Sequence, residues 1–303
     1  MKATLKFLTI SLIVQSTFIY SKTKQIKSIY GDDNRQDLFN VEDPLIHQQA
    51  TAVGGLMAKW HLKDSEDPNL FRVSAINLKD NGVCEEERFS NQYVAPVCTG
   101  FLVGPNLVMT AGHCATKYFC EKYVWAFNYR YQHNDQEQDL FIKKAHVSTC
   151  EKVIYRIEKN PFKGGNDIGL IKLTKSIPIE PLKLNLKRKV KKNAGLYMIG
   201  HPSGLPLKLT DDGKTTKVKK WYFKHNLDSF GGNSGSPVFN AKTKLVEGVL
   251  SRGRADYFTP EGKNCKMAKR YSKSQRKLIN LSEHASFVRN IGKTLKKNNV
   301  PAY

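Results

Sequence analysis

The sequence predicts an all-β protein, on two observations. Short apolar or β-rich runs recur along the chain, at Phe71–Leu78, Val97–Val103, Leu107–Thr110, Tyr123–Asn128, Ile168–Leu173, Gly195–Ile199, Pro237–Phe239 and Leu245–Leu250. Turn signals such as Gly104-Pro105-Asn106 and Asp211-Asp212-Gly213 separate them, the punctuation expected between strands. The 303 residues fit one large or two coupled small domains, and length does not choose between these.

In chain order, residues 1–21 read as a secretory signal. Lys2 and Lys6 form a basic start, and Phe7–Val14 an apolar core broken soon afterwards by Gln15 and Ser16, which is short for a membrane span. The six cysteines are scattered without a C-x-x-C pair; in an exported chain this favours disulfides over zinc. Near the end, Leu278, Leu281, Ala285, Val288, Ile291 and Leu295 recur at three- and four-residue steps. This spacing predicts a C-terminal α-helix, opened at Asn280 or Ser282 and finished before Pro301.

Three segments carry chemistry. Gly231-Gly232-Asn233-Ser234-Gly235-Ser236-Pro237 offers a serine in a glycine-rich turn. A serine hydroxyl attacks poorly until a base removes its proton. Thr110-Ala111-Gly112-His113-Cys114 supplies such a base, and Asp167 in Asn166-Asp167-Ile168-Gly169-Leu170-Ile171 supplies a carboxylate at the start of an apolar strand. Each segment alone is weak, since a glycine-serine turn is usually only a turn. The rival carboxylates Asp135 and Asp139 lie in a polar stretch with no following apolar strand and read as loop.

The order His113, Asp167, Ser234 resembles that of the chymotrypsin-like serine peptidases. Asn233, the ending Ser234-Gly235-Ser236-Pro237-Val238-Phe239-Asn240, and Gly200-His201-Pro202-Ser203-Gly204 are similar to the secreted bacterial branch that includes glutamyl endopeptidases. The resemblance implies two six-stranded antiparallel Greek-key β-barrels. The N-terminal one, residues 28–180, would hold His113 and Asp167, and the C-terminal one, residues 181–303, Ser234 and the final helix. The crossover falls at Ile177–Leu182. His113 would act as base, Asp167 would orient it, and the N–H groups of Gly232 and Ser234 would form an oxyanion hole. By the same resemblance, Ser251 supports the triad carboxylate and Cys98 pairs with Cys114. The other four cysteines, Cys84, Cys120, Cys150 and Cys265, allow three pairings.

The family also frames specificity. Asp228, with Ser229 beside it, stands where trypsin-like relatives carry the carboxylate that attracts Arg or Lys. The alternative is an Asp that caps a turn or binds backbone amides. Leu250 occupies the place where glutamyl endopeptidases carry a histidine, so their acidic preference is not expected. Ser28–Arg35 is similar to the start of mature bacterial relatives, a resemblance that implies a short propeptide at residues 22–27. Asn233 beside the nucleophile carries no charge, so pairing with a new N-terminal ammonium is not the expected activation switch.

Lys and Arg number 49 against 27 Asp and Glu, a formal charge of +22. Lys187-Arg188-Lys189 with Lys191-Lys192, and the stretch Arg252–Lys277, concentrate it. Solvated loops are the simplest reading; the functional one is nonspecific, salt-sensitive contact with anionic polymers or membrane surfaces. No nucleic-acid signature, cofactor motif or catalytic metal set is expected. The chain thus reads as a secreted monomer, extracellular or periplasmic, that hydrolyses polypeptide substrates. A catalytically inactive protein of the same fold binding acidic surfaces is the alternative, and an esterase a third reading.

Overall fold

The computed structural model describes residues 29–134, 139–159, 165–253, 256–271 and 283–301. The expected signal and propeptide, residues 1–27, lie outside them, as do Asp135 and the start of the expected C-terminal helix. Twelve strands form two closed barrels. The first contains β1 (Val53–Ala58), β2 (Cys98–Gly104), β3 (Leu107–Thr110), β4 (Tyr123–Phe127), β5 (Val147–Glu158) and β6 (Asp167–Leu173). The second contains β7 (Gly195–Gly200), β8 (Lys208–Val218), β9 (Tyr222–His225), β10 (Pro237–Asn240), β11 (Val246–Arg252) and β12 (Glu283–Phe287). Around the barrels the orders are 1-4-5-6-3-2 and 7-10-11-12-9-8, closed by antiparallel pairs throughout. The two halves therefore share one Greek-key topology.

Apolar burial fixes the first barrel. Every residue of β1, β2 and β3 is buried, and Phe101, Trp125 and Phe127 fill the interior at 0–1% exposure. Burying one such side chain contributes roughly 1.5–3 kcal/mol. β5 runs for twelve residues with a mixed pattern of burial and two register shifts against β6. Bulges of this kind bend and twist a strand so that it can follow a barrel wall.

The expected C-terminal α-helix is present but begins later than its spacing predicts. Glu283–Phe287 is a strand, Val288–Ile291 a 3-10 turn, and the α-helix spans only Gly292–Lys297. β12 hydrogen-bonds to both β9 and β11. Without it the second barrel would be left with two open edges, so the demands of the ladder override the helical spacing of Ala285 and Val288. Val288, Ile291 and Leu295 are still buried, at 0–2% exposure.

The segment ahead of the first barrel reaches the second one. Arg35–Asp37 pairs with β8, Lys208 opposite Asp37. There the buried Lys208 ammonium donates to Asp37 and to Gln92 Oε1. Three disulfides are formed: Cys98–Cys114 as the family implies, and Cys84–Cys265 and Cys120–Cys150 from the open set. They fit an oxidising compartment. Among the described residues no helix is long and apolar enough to cross a membrane.

Candidate active site

His113 lies in a short 3-10 turn, Gly112–Cys114, directly after β3. Asp167 opens β6, which pairs with β3, so the two residues face each other across neighbouring strands. Asp167 Oδ2 is 2.9 Å from His113 Nδ1 and Oδ1 accepts the His113 backbone N–H at 3.0 Å. One carboxylate thus fixes both the ring and the turn that carries it. The Asp167 side chain is 2% exposed and that of His113 34%: the acid is dry while the imidazole opens to the cleft.

The nucleophile loop comes from the second barrel and is pressed against the first. The Ser234 carbonyl accepts from Thr99 N–H at 2.8 Å, and Gly235 N–H donates to Leu250 at 2.7 Å. Gly235 has φ +95°, and a Cβ there would lie 1.9 Å from the Thr99 carbonyl oxygen. Gly232 has φ +88°, and a Cβ there would lie 2.4 Å from the His201 carbonyl oxygen. Both positions require glycine. The Cys98–Cys114 bridge joins the parts. Cys114 Sγ is 3.7 Å from the Ser234 carbonyl oxygen. The two sulfurs and a His113 ring nitrogen all lie within 4.8 Å of one another. Bonded to each other, these sulfurs do not act as thiolate ligands.

A second loop supports the nucleophile from behind. His201 is fully buried, and its Nδ1 bonds the Leu205 carbonyl at 2.9 Å. Burial pushes its pKa down to about 3, so it packs as a neutral ring. Ser203 N–H donates to the Gly231 carbonyl and Thr99 Oγ1 to that of Gly232. Among the described residues, no acceptor takes the N–H of Gly232 or Ser234. Those two donors remain available for a developing oxyanion.

Three expectations meet different surroundings. Ser251 Oγ donates to the His284 carbonyl, and Ser251 approaches Asp167 only through Ser286, whose Oγ accepts the Asp167 N–H at 3.0 Å. The expected bond from Ser251 to the Asp167 carboxylate is therefore not made: Ser251 Oγ turns to the His284 carbonyl, and Ser286 meets the Asp167 backbone instead. Asp228 is 2% exposed, and its oxygens accept backbone N–H groups of Tyr30 at 2.7 Å and Asn34 at 3.0 Å. It anchors the N-terminal segment, which is the backbone-binding role left open for it. Burial pushes its pKa up to about 6 despite those bonds. Leu250 packs in the second barrel core with Phe223 and Val238, and Ser229 is buried beside Asp228.

The structure adds residues that sequence reasoning missed. Arg252 Nε is 3.9 Å from Asp167 Oδ2. Glu283 is fully buried, and one of its oxygens accepts from the Tyr30 hydroxyl at 3.1 Å. A Cβ on Gly253 would lie 2.6 Å from the other oxygen. Tyr30 thereby links two carboxylates, Asp228 through its N–H and Glu283 through its hydroxyl. One signal was visible: Glu283 is the sole acidic residue after Glu261.

The fold is that of the chymotrypsin-like peptidases. Residues 98–247 match the model of the trypsin-like peptidase domain, and the two barrels that this span crosses have the chymotrypsin-like fold. Among solved structures it is similar to the VesB protease of Vibrio cholerae, at TM-score 0.53 and 11% identity, covering 88% of this chain and 68% of that one. It is also similar to human heparin binding protein, at TM-score 0.50 and 12% identity, covering 90% and 99%. At such identities the likeness is one of fold. No curated protein sequence matches the chain.

Proposed function

We propose that the protein is a secreted serine endopeptidase working through an acyl-enzyme. One observation carries this reading: the His113–Asp167 pair, held at 2.9 Å, stands beside a Ser234 loop that the Cys98–Cys114 bridge brings against it. Ser234 Oγ attacks the scissile carbonyl and passes its proton to His113 Nε2. Asp167 holds the opposite ring nitrogen in the protonated tautomer and stabilises the imidazolium. The N–H groups of Gly232 and Ser234 receive the oxyanion. His113 then protonates the leaving amine, and water repeats the sequence to release the acid and regenerate Ser234.

The preferred residue before the scissile bond is Arg or Lys. What supports this is the place of Asp228 six residues before the nucleophile; in the fold its oxygens hold the N–H groups of Tyr30 and Asn34, so substrate would meet it only if that segment gives way. Export is supported by the basic and apolar start of the chain and by the three disulfides.

A fluorophosphonate probe tests the mechanism. The expected outcome is covalent labelling of the parent and none of Ser234→Ala. A parent that stays unlabelled while folded supports the inactive, surface-binding alternative instead. A panel of peptide amides varied before the scissile bond tests specificity: faster cleavage after Arg and Lys is expected, and a preference for acidic or large apolar residues overturns it.

A further inference from the structure

Three stretches of the chain contain no acidic residue: 181–195, 214–225 and 284–300, with six, five and four Lys or Arg residues respectively. The fold gathers them on one side of the second barrel. Phe287 N–H and Asn290 Nδ2 both donate to the Trp221 carbonyl, at 3.2 and 2.6 Å. Arg289 Nη1 donates to the Lys187 carbonyl, and Lys189 Nζ lies 5.7 Å from the Phe287 ring centroid. Asn193 N–H donates to Thr215, two residues from Lys217 on β8. Lys187, Arg188, Lys189, Lys217, Lys219 and Lys220 are all exposed, and none of them has an ion-pair partner among the described residues. The neighbouring acids do not offset them: Glu283 is buried, and Asp212 sits about 20 Å along β8 from the hairpin end at Val218.

At the tip of the β8–β9 hairpin stands Trp221, 44% exposed, with Lys220 Nζ 5.1 Å from its ring. Its backbone is fixed by the two donors just named, so the indole is held out on a rigid turn. Cations alone would suit any polyanion. A cationic face with a tryptophan presented at its edge suits a lipid interface, where indole rings settle at headgroup depth and lysines meet anionic phosphates.

We propose that this face docks the protein on a bilayer exposing anionic phospholipid headgroups, with Trp221 entering the interface and Lys219 and Lys220 beside it meeting the phosphates. The idea is independent of the peptidase mechanism, since none of these residues belongs to the site.

The test is co-sedimentation of the full chain, in its Ser234→Ala form to prevent self-cleavage, with phosphatidylcholine vesicles made with and without phosphatidylglycerol. Binding is expected only with phosphatidylglycerol and should weaken as salt rises. The Lys219→Glu/Lys220→Glu variant should lose at least roughly tenfold in apparent affinity. Trp221→Ala should lose severalfold, and Trp221→Phe should retain most of the binding. Equal sedimentation with phosphatidylcholine alone, or parent-like binding by the double variant, overturns the proposal. So does an unchanged affinity of Trp221→Ala for the anionic vesicles, above all if soluble heparin binds it as well as the parent; that outcome assigns the face to a soluble polyanion. Should the double variant misfold by circular dichroism, the tryptophan pair and the salt titration still decide.

Discussion

A single carboxylate does two jobs in this protein, and the consequences are separable. Asp167 binds the His113 ring and the His113 backbone N–H, so Asp167→Asn keeps a similar shape but favours the wrong imidazole tautomer. Turnover of a peptide amide should fall by about 10⁴-fold, with the unfolding midpoint little changed; a variant that retains parental kcat would remove Asp167 from the mechanism. Gly232→Ala addresses the oxyanion donors. The added Cβ meets the His201 carbonyl at a positive φ, so the loop must shift and misplace its N–H groups. A drop in kcat of about 10²–10³ is expected, measured alongside an active-site titration to show that the protein remains folded.

Among the elements, the disulfides differ in what they secure. Cys84–Cys265 closes a span of 181 residues and runs beside the Val83–Lys266 bridge. Replacing both cysteines by serine should cost about 2–5 kcal/mol in urea unfolding, by freeing the unfolded chain, while kcat per folded molecule changes little. Cys98–Cys114 closes only 16 residues but touches both the His113 turn and Ser234. Its removal should depress kcat more than stability. Equal effects of the two pairs on kcat would show that the second has no special place at the site. The strands themselves were partly legible. β2, β3, β4 and β6 follow apolar runs that any sequence reading marks. β5, β8 and β9 were not legible, because Lys, Thr and Arg alternate along them with residues that only the barrel interior selects.

For the molecule as a whole, buried imidazoles set the response to acid. Burial holds the pKa of His201 and of His225 down to about 3, against about 6.5 in an unfolded chain. Between those values the unfolded state binds protons that the folded state refuses, so stability rises with pH across that window and levels off above it. Asp228, raised to about 6, works in the opposite sense between roughly pH 4 and 6, but it is one group against two. The urea midpoint should therefore fall from pH 7 to pH 5, and His225→Leu should flatten part of that fall. A midpoint that is independent of pH in this range would mean that neither imidazole resists protonation.

The sequence by itself determined the all-β class, the triad candidates and one disulfide. These rest on local strings whose chemistry is written in residue type and on their order along the chain. Tertiary structure alone decided that Glu283–Phe287 becomes a strand, because an open barrel needs its hydrogen bonds more than a helix needs Ala285 and Val288. It also decided that Asp228 holds Tyr30 and Asn34, and that three acid-free stretches meet around Trp221. Each of those outcomes depends on which distant segments are brought within bonding reach, a property that spacing along the chain does not encode.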